Sequence, residues 1–92
     1  MIRLKGDSME PEFRDGDVVL VDVAKQAHKG NCVTAYIEGE GGTFKKYGGV
    51  NHKTGTIKLI PINKDYKVIE LPADKVRITA VYEHTIRAKR GK

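Results

Sequence analysis

No stretch of this sequence keeps its apolar residues at a helical spacing. Short runs rich in β-branched and aromatic residues alternate instead with glycine-containing turns, and that pattern restricts the chain to a β fold. The runs are "DVVLVDVA" (17–24), "NCVTAYIEG" (31–39), "TFKKYGGV" (43–50), "TIKLIPI" (56–62), "YKVIELP" (66–72) and "VRITAVYEHTI" (76–86). In the fourth, Ile57, Leu59 and Pro61 fall on one side. "EGEGG" (38–42) reads as a hairpin turn in which Gly39, Gly41 and Gly42 supply positive φ, and "NHKTG" (51–55) as the next turn. At most one short helical turn fits, over Ser8–Phe13. A chain of 92 residues with 10 glycines and no internal repeat reads as one domain, 1–92. The expected architecture is mostly β: a small, strongly bent sheet or partial barrel.

Composition excludes several classes. No apolar run approaches the ~18 residues of a membrane helix, and the N-terminus lacks a signal-peptide core. No membrane contact and a cytoplasmic location are the expectation. Cys32 is the single cysteine, so no intrachain disulfide forms, and its apolar setting reads as a structural thiol. The net charge of +5 invites a nucleic-acid reading. Much of the excess lies in "IRAKRGK", however, where Arg87, Lys89, Arg90 and Lys92 read as a solvated, frayed basic tail over 87–92. The aromatics Phe13, Tyr36, Phe44, Tyr47, Tyr66 and Tyr82 are scattered and make no stacking face for bases.

The candidate chemistry narrows in the same way. "GEGGT" lacks both the helix-opening spacing of a dinucleotide loop and the Gly-Lys-Ser/Thr ending of a P-loop. His28, His52 and His84 have no metal-ligand spacing and read as surface or turn residues, so neither a metal nor another cofactor is implied. Glu10, Glu12, Asp15 and Asp17 follow Ser8 closely, and Asp15-Gly16-Asp17 reads as a turn closed by side-chain to backbone hydrogen bonds. Lys45 and Lys46 lie in a strand, where successive residues point to opposite faces. Phe44 and Lys46 share one face; Thr43, Lys45 and Tyr47 share the other. Burial lowers a lysine pKa, and a neutral lysine beside a serine can take its proton. From the residues alone that signal is weak, because most strand lysines are simply solvated.

Two motifs change the weighting. "GDSMEPEFRDGDVVLVD" resembles the nucleophile segment of the LexA, phage-repressor and UmuD family of Ser-Lys self-cleaving peptidases. "GTFKKY" resembles the family's base strand. "IKLIPINKDY" resembles the strand and Pro-x-Asn turn that follow, with a tyrosine shortly after, and "VRITAVYEHTIRAKR" stands where the last strand closes the domain, without the glycine expected before its apolar run. The resemblance spans nearly the whole chain in the right order.

It implies Ser8 as nucleophile and Lys45, the first lysine of the pair, as base. The backbone N–H groups of Asp7 and Ser8 are implied as the oxyanion site. The implied reaction is peptide-bond hydrolysis: neutral Lys45 takes the Ser8 proton, Ser8 attacks, and water releases the acyl-enzyme. In the family the bond cut lies in the protein's own upstream linker, and cleavage is provoked by the RecA filament after DNA damage. The domain also forms homodimers, through a strand edge or an apolar patch near the C-terminal strands. DNA is bound only through an N-terminal domain. Seven residues precede Ser8 here, so the expectation is the C-terminal part of a longer repressor, with self-cleavage of this chain excluded. The alternatives are a non-catalytic dimerisation module, a processed UmuD-like polymerase accessory, and a type I signal-peptidase-like protein, which the missing membrane anchor disfavours.

Overall fold

The computed structural model describes residues 1–87. Its strands are β1 (Ile2–Arg3), β2 (Val18–Asp22), β3 (Cys32–Ile37), β4 (Gly41–Asn51), β5 (Thr56–Ile60), β6 (Ile69–Pro72) and β7 (Val76–Ile86). They form one antiparallel sheet in the order β1-β2-β7-β3-β4-β5-β6, curled into a half-barrel. The mostly-β architecture and the six longer strands agree with the sequence reading. The two-residue β1 was not expected, and its brevity explains why alternation could not reveal it.

Strand β7 organises the curl. Its first half, Val76 to Val81, pairs with β3, and its second half, Val81 to Ile86, pairs with β2. Register shifts at Leu20/Val21 and Thr34/Ala35 bend the sheet on either side of β7. One long strand therefore serves two lobes. In the first, alternate residues of β3 (Val33, Ala35, Ile37) meet Ile57, Leu59 and Val81. In the second, the segment before β2 supplies Leu4, Met9 and Phe13 to Val19 and Phe44. Phe13 stands edge-on to Phe44 and to Tyr82, with ring centroids 5.0 Å apart in both pairs. Such contacts contribute about 1 kcal/mol beyond burial. Ile57, Leu59 and Pro61 are all buried, as the alternation requires.

Some local expectations need correction. Residues Ser8–Phe13 form a hydrogen-bonded turn, closed by Phe13 N–H to Met9 O at 3.0 Å, and not a helix. Among the described residues the one helical turn is a 3₁₀ turn at Ala73–Lys75. In the hairpin, Gly39 and Gly41 have φ of 85° and 97°, whereas Gly42, one residue into β4, has no positive φ.

Arg87 is not the start of a solvated tail. Its guanidinium donates to both Asp17 oxygens and to Glu12 O, with Nη2 2.9 Å from Asp17 Oδ2. Asp17 is only 4% exposed, and a carboxylate so enclosed requires a cation. Lys89, Arg90 and Lys92 lie outside the described residues. Among the described residues no helix is long and apolar enough to cross a membrane.

Candidate active site

Ser8 sits on a turn held from three directions. From below, buried Leu4, Met9 and Phe13 anchor the segment in the second core lobe. From the N-terminal side, Leu4 N–H donates to Asp17 O at 2.8 Å and Gly16 N–H to Leu4 O at 2.9 Å. The Asp15-Gly16-Asp17 turn forms as expected: Asp15 Oδ1 accepts from Gly6 N–H at 2.7 Å, and Asp17 Oδ2 from Arg14 N–H at 2.9 Å. Gly16 has φ 91°, a conformation that suits glycine.

The third hold comes from the Pro-x-Asn turn. Asn63 N–H donates to Ser8 O at 2.9 Å, and its Nδ2 donates to Asp7 O at 3.0 Å. Its Oδ1 accepts from Asp65 N–H at 2.9 Å, which fixes the amide. The Tyr66 hydroxyl donates to Asp7 Oδ1, and that carboxylate raises the phenol pKa above its usual value. Asn63 and Tyr66 had no assigned role in the sequence reading. The "PIN…Y" spacing was the available signal, but only the folded chain brings it under the nucleophile turn.

Both carbonyls of Asp7 and Ser8 are thus occupied, while their N–H groups donate to no acceptor among the described residues. Neighbouring unpaired N–H groups on a fixed turn can receive an oxyanion.

Ser8 and Lys45 line one cleft of about 500 Å³. The cleft spreads over β7, β3 and β4, and four consecutive β4 residues, Gly42 to Lys45, border it. This part of β4 pairs with β3 alone, because pairing with β5 begins at Lys46. Lys45 is half-buried, and desolvation lowers its pKa below the ordinary lysine value. Its Nζ donates to Thr43 Oγ1 at 2.8 Å and to Phe44 O at 3.2 Å, so in this conformation it is not hydrogen-bonded to Ser8. Thr43 was not singled out as a partner, although the two-residue spacing of same-face positions predicts the contact.

The neighbouring lysine is placed differently. The register sets Lys45 opposite Val33 and Lys46 opposite Cys32, so the pair splits between the faces. Lys46 is not part of the cleft. Cys32 packs against the second core lobe, and its thiol pKa is pushed up to about 11, chiefly by burial, with Glu12 adding and Lys46 opposing. It is a structural thiol in the sense expected. His28, His52 and His84 are exposed and lie outside the cleft. Glu10 and Glu12 are outside it as well.

Comparison with known proteins adds a lineage to this geometry. A family model described as Peptidase S24-like matches residues 1–82. A LexA repressor of Carboxydothermus hydrogenoformans is 46% identical over 69 residues, which cover 74% of this chain and 33% of that protein. A LexA repressor of Petrotoga mobilis is 37% identical over 78 residues, 84% of this chain and 37% of its own length. One from Thermotoga petrophila is 35% identical over 79 residues, 85% and 38% of the two chains. The chain spans little more than a third of the length of these curated relatives. A match that runs through the Ser8 turn, the Lys45 strand and most of the sheet has one meaning: the chain belongs to the Peptidase S24-like family.

Proposed function

We propose that this chain is the C-terminal peptidase domain of a LexA-type transcriptional repressor, with Ser8 as nucleophile and Lys45 as general base. One observation carries the reading: two residues far apart in sequence line a single cleft, and the lysine of the two is desolvated. A lysine whose pKa is lowered by burial loses its proton at a lower pH than a solvated one, and the neutral amine can accept a hydroxyl proton. For this step Lys45 Nζ exchanges its contact with Thr43 for one with Ser8. Ser8 Oγ then bonds to a peptide carbonyl carbon, and its proton passes to Lys45 Nζ. The oxyanion is received by the N–H groups of Asp7 and Ser8, each such donor contributing about 3 kcal/mol. Lys45 returns the proton to the leaving amine, and water releases the acyl group by the same route.

The peptide cut is a linker upstream of this domain in the longer protein, and the same domain dimerises the repressor. The RecA filament is the inducing partner, and operator DNA is bound by a separate N-terminal domain. A second reading has one observation in its favour: Lys45 Nζ is engaged by Thr43 and Phe44 O, as in a domain that serves only to dimerise.

Labelling with a fluorophosphonate separates the two. The expected result is one adduct, mapped by mass spectrometry to Ser8, lost in Ser8→Ala and Lys45→Ala and kept in Lys46→Ala. An adduct of equal yield in Lys45→Ala, or none in the unmodified chain, overturns the peptidase reading and leaves the dimerisation module.

A further inference from the structure

The cleft carries a charge pattern that the dyad does not need. Besides Lys45, its lining includes Arg3, Lys5, Arg14 and Arg77, and no aspartate or glutamate. None of these four cations makes an ion pair among the described residues. The nearby carboxylates are committed elsewhere: Asp7 to the Tyr66 hydroxyl, Asp15 to Gly6 N–H, and Asp17 to Arg87. The floor, by contrast, is apolar, with Leu4, Met9, Phe13 and Phe44.

Arg77 is the most specific of the cations. Its guanidinium lies 5.4 Å from the centre of the Tyr36 ring, and Tyr36 is 45% exposed beneath it. Stacking fixes the plane of the guanidinium and leaves its N–H edge to take a carboxylate in two parallel hydrogen bonds. Tyr36 is in register with Arg77 on one side and Gly42 on the other, whereas Lys45 is opposite Val33. Three strand residues separate the level of Arg77 from that of Lys45, about 10 Å along the sheet; the odd offset sets the two on opposite sides of the β3–β4 ladder, although both border the cleft. A ligand that meets both ends is an extended segment, not a single acid.

From this we infer that the cleft selects an extended peptide carrying acidic side chains on an apolar stretch, with Arg77 on its Tyr36 platform as the principal carboxylate receptor. The inference rests on the reading of the cleft as a peptide site, but it concerns binding and is independent of turnover. A single-stranded nucleic acid is also anionic. It is disfavoured because the cleft offers one exposed aromatic platform, not a series on which successive bases can stack.

The test is fluorescence anisotropy with the Ser8→Ala chain and a labelled ten-residue peptide of alternating leucine and glutamate. Its partner is the same peptide with every glutamate replaced by glutamine. The glutamate peptide is expected to bind about tenfold more tightly at low salt, with the advantage shrinking as salt screens the charges. Arg77→Gln is expected to remove most of that advantage while leaving the glutamine peptide unaffected. Arg14→Gln, at another lining position, is expected to remove a smaller part. Equal affinity for the two peptides overturns the inference. So does a poly-dT oligonucleotide that binds more tightly than the glutamate peptide. If the glutamate preference holds while Ser8 never reacts with phosphonate, the peptidase reading falls and the acidic-peptide site stands. If Ser8 reacts but glutamate and glutamine peptides bind alike, the reverse is true.

Discussion

Asn63 holds the Ser8 turn from far along the chain. It bonds the carbonyls of both Asp7 and Ser8, and the Asp7 contact spans 56 positions in sequence. Both carbonyls are thereby tied to the Pro-x-Asn turn. Truncation in Asn63→Ala removes the Nδ2 and Oδ1 bonds, each worth about 1 kcal/mol. Phosphonylation of Ser8 is expected to slow about tenfold, which corresponds to about 1.4 kcal/mol in the barrier. The thermal midpoint should fall by only a few degrees. An unchanged rate would show that the turn holds itself. Ser8 and Lys45 could be singled out through the resemblance, and the fold sets both on one cleft. Asn63 was legible only as part of a resemblance, since no local pattern states which distant carbonyl an amide will find. Thr43 lay in between: strand parity put it beside Lys45, but not with its hydroxyl 2.8 Å from Nζ.

At the scale of elements, β4 is where sheet geometry and the cleft meet. Between Tyr47 and Val50 its register with β5 shifts, and Gly48 and Gly49 occupy the irregularity. A Cβ on Gly48 would stand 2.7 Å from Lys58 Cβ and 2.9 Å from Ile60 Cδ1. Neither Lys58 Cβ nor the strand beneath it can withdraw easily, so Gly48→Ala forces β4 and β5 apart. Chemical denaturation is expected to show a loss of about 1–3 kcal/mol, the usual cost of overpacking. A loss below 0.5 kcal/mol would mean that the bulge has room to spare. The strands themselves were readable from alternation and glycine punctuation. Their order was not, because placing β7 between β2 and β3 depends on pairings made across most of the chain. The two-residue β1 and the 3₁₀ turn after Pro72 were too short to leave a periodic signal.

Across the whole molecule, the Asp17–Arg87 pair ties the turn before β2 to the residue that follows β7. Composition suggested a loose basic tail at Arg87. It could not reveal that Asp17 would be enclosed and in need of a cation. Hydrogen bonds from Arg87 hold the Asp17 carboxyl below its ordinary pKa, against the opposing effect of burial. For a carboxylate with a depressed folded pKa, the stabilisation is present above the unfolded value of 3.8 and is lost as pH falls through the folded value. Arg87→Ala is therefore expected to lower the thermal midpoint at pH 7. The gap from the unmodified chain should narrow steadily as pH drops from 5 toward 2. A gap that stays constant over that range would mean Arg87 acts by packing and not by charge.

The most direct test of the Ser8–Lys45 assignment is the pH dependence of the Ser8 phosphonylation rate, measured from pH 6 to 11. Desolvation lowers the Lys45 pKa, so the neutral base accumulates at a lower pH than for a free lysine. The rate is expected to rise with pH through an inflection clearly below 10.5, then level off, with Lys46→Ala giving the same curve and Lys45→Ala giving a low rate without that inflection. A curve that climbs only through the ordinary lysine range, or one that persists unchanged in Lys45→Ala, would contradict the dyad.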